Sequence, residues 1–193
     1  MNKLFITLCL MSSALFAYPN HSPELASPLK VLYKLEEAKS LLEAVEAEGS
    51  FTMKTARLGM HASNAAWYPD MRTICVNVSN KRSQGSMIRS LIFELHNALN
   101  QKKFDQMDRL ATQGKISKQN YILEIEQLEY ENALQTVKVL NAGIKKGIFP
   151  KDAFWPIASS FQEHMQIQLE AGHAQNVGAL YDQLRSGHFF AGR

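Results

Sequence analysis

The sequence predicts a mainly helical α+β domain, with a small two- or three-stranded antiparallel sheet packed on a helix bundle. Three observations predict it. Apolar residues recur every three or four positions over most of the chain, and between about residues 51 and 78 the period switches to two. Glycine (10) and proline (6) are scarce among 193 residues, with no stretch rich enough in either to divide the chain. With 46% hydrophobic residues and a formal net charge of +3, the composition excludes collagen, low-complexity disorder and a disulfide-dense miniprotein.

The first element is an address. Residues 1–17, MNKLFITLCLMSSALFA, combine Lys3, an apolar run from Leu4 to Leu10 and small residues at Ser12, Ser13, Ala14 and Ala17. This is the pattern of a secretory signal peptide, with cleavage expected after Ala14 or Ala17, and it predicts a periplasmic or secreted protein. The remaining residues, 18–193, are expected to form one domain. No second apolar stretch is long enough to cross a bilayer, so no membrane association is expected after cleavage. Basic residues are scattered as pairs (Lys81-Arg82, Lys102-Lys103, Lys145-Lys146), which gives no reason to expect nucleic-acid binding. Cys75 is the only cysteine beyond the leader, so no internal disulfide is expected. It falls in an apolar strand pattern and reads as a small buried hydrophobe.

Ser27-Pro28 reads as the N-cap and first residue of a helix carrying Leu29, Leu32, Leu35, Ala38, Leu42 and Val45, ended by Gly49. Alternation through Phe51, Met53 and Thr55, a short segment Asn64–Tyr68, a turn at Pro69-Asp70 and alternation through Ile74, Val76 and Val78 predict antiparallel strands. A helix then runs from Ser86 to about Ala111 or Gln113. Another, capped by Ser117, continues to about Ala142. A third enters at Pro150 and Asp152 with Phe154, Ile157, Ala158, Phe161, Met165 and Leu169 on one stripe. A last short helix carries Val177, Leu180, Tyr181 and Leu184.

Two helices hold the unexpected residues. On the helix from Ser86, Ile88, Leu91, Ile92, Leu95 and Leu99 make the core face, while Ser90, Phe93, Glu94 and Asn97 fall opposite. A phenylalanine beside an acid there implies a second covering layer. On the helix from Ser117, Ile122, Ile125, Ala133, Thr136 and Leu140 form a stripe with Glu129 at its centre and Asn132 at its margin. An unpartnered buried carboxylate costs several kcal/mol, so Glu129 needs a donor side chain, a metal or a shared proton, unless it snorkels or accepts from neighbouring backbone. Glu124, Glu126 and Glu131 on the same helix read as a solvated acidic face.

The segments NAAWYPDMRTICVNV (64–78), SLIFELHNALN (90–100) and EIEQLEYENA (124–133) together resemble the zincin metallopeptidases. In many of these a strand leads to a helix bearing His-Glu-x-x-His, and a following helix supplies a glutamate as third zinc ligand. The resemblance implies a zincin-like core, with Glu94 at the glutamate position and Glu129 at the third-ligand position, Glu126 being a poorer choice. Both histidine positions depart, holding Phe93 and Asn97. A phenyl ring cannot coordinate, an amide is a weak ligand, and His96 lies about 100° around the helix from the ligand face. No metal or cofactor is therefore expected. Asn97 is expected instead to donate to Glu129 where an ion would sit, with Phe93 filling the space of an imidazole.

Other chemistry is thinly represented. The six histidines show no i, i+3 or i, i+4 pair. Glu170-Ala-Gly-His173 matches half of a di-iron motif and is interrupted by Gly172. No Gly-x-Ser-x-Gly elbow or phosphate loop occurs. The function expected is an exported, non-catalytic, pseudo-metallopeptidase-like and effector-like protein. It would bind a protein or peptide partner through Phe93, Glu94, Asn97 and Glu129, with residues 72–78 as the edge strand. Two alternatives stay open. One is an unconventional hydrolase using Glu94, His96 and Glu129 as catalytic residues. The other is a plain helical periplasmic or secreted adaptor.

Overall fold

The computed structural model describes residues 19–57 and 63–187. The leader, His61 and the Phe189-Phe190 pair lie outside the described residues. Seven α-helices and one four-stranded sheet are present among those described.

The expected first helix is two. A 3-10 turn at Pro23–Leu25 leads into α1 (Ala26–Leu32), and α2 spans Glu36–Ala47. Ser27 and Pro28 therefore sit inside the first turn of α1, where a missing N–H costs nothing. The break falls at Leu35, whose backbone is extended (φ −105, ψ 119). The bend lets Leu25, Leu29, Leu32, Leu35, Ala38 and Val45 all reach zero exposure, and both helices pack on α3 (Gln84–Leu99).

Three strands occur where the alternation places them, β2 (Thr52–Ala56), β3 (Ala65–Tyr68) and β4 (Thr73–Asn77), and a fourth that it did not signal, β1 (Asn20–His21), makes the sheet four-stranded rather than two- or three-stranded. The pairing corrects the antiparallel expectation. The order is β1-β2-β4-β3, with β1–β2 and β2–β4 parallel and only β3–β4 antiparallel. A period of two is common to both pairings and cannot tell them apart. The tight Pro69–Met71 turn reverses β3 into β4. Because β3 runs opposite to β2, this reversal leaves β4 aligned with β2. Residues 72–78, expected at an edge, thus form an interior strand, buried throughout Thr73–Asn77. The edge beside the helices is β3. Cys75 lies buried in β4, its thiol pushed up by that burial.

Arg72 closes the β3–β4 turn in the left-handed region (φ 42). Its guanidinium donates to the carbonyls of Val45 (2.9 Å), Gly49 (2.8 Å) and Ser50 (3.2 Å) and lies 5.5 Å from the Trp67 ring. One side chain so satisfies the open end of α2 and ties it to the sheet.

Ser83, three residues before the expected start, caps α3 by accepting from the Ser86 N–H. The long helix expected to follow breaks at Asn100 into α3 and α4 (Gln101–Thr112). Ser117 caps α5 (Lys118–Lys145) as expected, accepting from Asn120 N–H. The helix expected from Pro150 does not form there. Lys151–Ala153 is a 3-10 turn and residues 154–158 run as a strap. Pro156 explains this, because it lacks an N–H and disfavours helical backbone at Trp155. Ser160 then caps α6 (Phe161–Glu170), and α7 (His173–Ser186) follows Gly172, which turns at φ 80.

The main core joins α1, α2, the sheet, α3 and the end of α5. A smaller one joins α4, the start of α5 and α7 around the fully buried Tyr121. Between them lies the polar seam described next.

Candidate functional site

The outer face of α3 is covered, as the pattern of Ser90, Phe93, Glu94 and Asn97 implies. Ser90 and Glu94 are buried, and Phe93 meets Trp155 of the strap edge-on, with centroids 5.4 Å apart. Arg89 fastens the strap from the same helix by donating to the Phe154 carbonyl at 2.8 Å.

Glu94 is 5% exposed. Its Oε2 accepts from the Trp67 N–H of β3 and from Nδ2 of Asn97, both at 3.0 Å. Burial pushes this carboxyl up to about 7, against the two hydrogen bonds and with help from the nearby Glu129 charge. The Asn97 amide, expected to donate to Glu129, thus donates to Glu94. Its Oδ1 accepts from Asn132 Nδ2 at 2.8 Å, and Asn132 Oδ1 accepts from Asn100 Nδ2 at 2.6 Å. Three asparagines and one acid form a continuous relay between α3 and α5, with Asn132 2% exposed. Asn132 stood at the margin of the apolar stripe and is better buried than Glu129 at its centre.

The second cluster centres on Glu126, which corrects its reading as a solvated residue. Glu126 has zero exposure. Oε2 lies 3.2 Å from Nε2 of His164 and Oε1 lies 2.9 Å from Nδ1 of His173. Burial alone would raise the Glu126 carboxyl, but the hydrogen bonds and charges of the two imidazoles prevail and hold it below the ordinary range. His173 is raised to about 9, chiefly by its bond to Glu126, against burial and with the charges of Glu129 and Glu126 adding. Oε2 of Glu129 lies 3.7 Å from Nε2 of His173, so the carboxylate at the centre of the α5 stripe faces an imidazole of α7. The signal for this cluster was a second α5 stripe, Glu126–Tyr130–Ala133, which α6 and α7 cover. The Glu170-x-x-His173 spacing singled out the right histidine with the wrong acid.

These residues converge on one cleft of about 800 Å³. Phe93, Glu94, Glu129 and His173 line it, with the start of β3 at one wall and the Trp155–Ala158 strap and α6 at the other. Of the sequence candidates, Phe93, Glu94 and Glu129 share the cleft and Asn97 braces Glu94 from behind. His96 does not line it. It is half-buried, its Nε2 has no hydrogen-bond partner, and burial lowers it to about 4.

The zinc that the zincin resemblance implies does not fit at the matching positions. Phe93 is packed on Trp155, and both ends of the Asn97 amide are engaged by Glu94 and Asn132. Comparison of the chain with family models, curated proteins and solved structures gives no match.

Proposed function

We propose that the protein is an exported, non-catalytic binding protein, pseudo-metallopeptidase-like in its α3–α5 pair, that holds an extended peptide segment of a protein partner. The observation that carries this is the start of the edge strand β3, where residues 63–65 line the cleft, the next outward N–H, that of Trp67, being already taken by Glu94. Asn64 C=O bonds inward to Asn77 N–H, and the strand alternates. Ala65 therefore presents its N–H and C=O outward, at the cleft wall. An extended segment adding there gains main-chain hydrogen bonds, while its alternate side chains meet Phe93 and Trp155 on one wall and Glu129 on the floor. The cleft volume lies within the range of ligand-binding sites. Export rests on the leader at residues 1–17, and the effector-like role rests on export together with the absence of histidines at positions 93 and 97.

The test is selection of a random peptide library against the protein, with counter-selection on Ala65→Pro, which removes the outward N–H. Peptides that bind the native chain and lose at least roughly tenfold on Ala65→Pro support the reading. Enrichment of nothing, or of peptides indifferent to the substitution, overturns it.

One observation favours the second reading, an unconventional hydrolase. Glu94 at about 7 beside an acid with a different environment is the pattern of a proton donor next to a charged carboxylate. On that reading His96 drops out, since it does not line the cleft, and Glu94→Gln abolishes any hydrolysis detected.

A further inference from the structure

We infer that the floor of the cleft is a site for one divalent transition-metal ion, held by Nε2 of His173 and the carboxylate of Glu129, with Glu126 orienting the imidazole from behind. The inference rests on α5 and α7 and does not require peptide capture at β3, with which it shares only Glu129.

The geometry is that of a carboxylate–histidine–metal arrangement. Oε1 of Glu126 is 2.9 Å from Nδ1 of His173, which fixes the ring and directs Nε2 towards Glu129. The other oxygen of Glu126 is engaged by His164 at 3.2 Å, so both of its oxygens serve imidazoles and neither is spare for an ion. Nε2 of His173 and Oε2 of Glu129 are 3.7 Å apart. That is long for a hydrogen bond. It is close to the separation, about 3.3 Å, of two ligand atoms on a tetrahedral ion with bonds of ~2.0–2.1 Å. A carboxylate oxygen of Glu126, one of Glu129 and a ring nitrogen of His173 all lie within 4.8 Å of one another. The backbone supports the placement. Gly172 at φ 80 turns the chain so that His173 is the first residue of α7, against α5.

The donor set selects the ion. One imidazole and one carboxylate suit zinc and its neighbours better than magnesium or calcium, which take oxygen ligands. Two protein ligands leave two tetrahedral positions open towards the cleft, where water or a carbonyl or carboxylate oxygen of a bound ligand would complete the shell. The sequence hid this site because its ligands are 44 residues apart on helices that meet only in the fold.

The test uses the purified full chain, stripped with a chelator and titrated with Zn²⁺ against a chromophoric competitor. One equivalent is expected to bind. His173→Gln and Glu129→Gln are each expected to weaken it at least tenfold, and Glu126→Gln roughly ten- to a hundredfold. Co²⁺ in place of zinc is expected to show visible bands of tetrahedral coordination. Mg²⁺ is expected not to compete, and His21→Gln to bind as the native chain does. Circular dichroism checks that each variant is folded. Should Glu126→Gln fail to fold, the part-exposed Glu129 and His173 variants decide alone. Absence of stoichiometric zinc binding, or native affinity retained in both His173→Gln and Glu129→Gln, overturns the site.

Discussion

Nδ1 of His173 and Oε1 of Glu126 lie 2.9 Å apart, the acid without any solvent exposure and the imidazole at the rim of the cleft. The pair makes the buried charge on α5 tolerable and sets the protonation of α7's first residue. In metal-free protein, Glu126→Gln removes the chief cause of the raised His173 value. Its titration, followed by the imidazole proton resonances, is expected to move from about 9 towards the ordinary 6.5. Glu126→Leu leaves two imidazoles without their acceptor and should cost on the order of 3 kcal/mol in urea unfolding.

Stability should depend on pH through two opposed groups on α3. Glu94 is raised from 4.5 to about 7. The fold therefore keeps a proton that the unfolded chain has lost, and this stabilisation, complete below 4.5, disappears as pH rises to 7. His96 is lowered from 6.5 to about 4, so its contribution is lost as pH falls from 6.5 to 4. The slopes oppose between 4.5 and 6.5, where the native profile should be shallow. Glu94→Gln should leave a profile that climbs with pH across that window. Above 6.5 the raised His173 adds a decline through pH 9. Urea midpoints measured from pH 4 to 9 on both proteins check all three limbs.

Asn97→Leu should be worse tolerated than Glu129→Leu. Asn97 bridges the buried Glu94 and Asn132, so its loss leaves a carboxyl and an amide short of partners, about 1–3 kcal/mol. Glu129 has 24% of its side chain exposed at the cleft, and its replacement should cost under about 1 kcal/mol. Denaturant melts at neutral pH give the order, and a reversal would mean that the asparagine relay carries little of the stability.

Gly85→Ala should loosen the strap that walls the cleft. A Cβ at position 85 would collide with the backbone N of Ala153 and with the side chain and carbonyl carbon of Asp152. Backbone cannot yield as a side-chain tip does. The 3-10 turn at Lys151–Ala153 must therefore shift, at about 1–3 kcal/mol. Hydrogen exchange at residues 153–158 should quicken, and the fluorescence of Trp155 should redden.

The sequence made the fold legible where a single residue type has one physical use. Ser117 capped α5 where expected, and the period-two segments became strands. The misplaced elements depended on partners far away in sequence. Parallel pairing of β2 with β4 is decided by where β3 inserts, not by alternation. The helix expected across 154–169 ignored Pro156, a local signal that was present. At the site, Glu129 was conspicuous because it broke an apolar stripe. Glu126, the more buried acid, looked ordinary because acids flank it on the same helix. Only the arrival of His164 and His173 from the last two helices explains its burial.

The Arg72 clasp has a consequence for how the cleft responds to change elsewhere. The same side chain that finishes α2 leans on Trp67, and the Trp67 amide holds Glu94. The end of a remote helix, a strand corner and a cleft carboxyl are thereby linked mechanically in series. Slackening at residue 72 would arrive at Glu94 as a lost amide, so a substitution with no contact to the cleft can still retune its acidity.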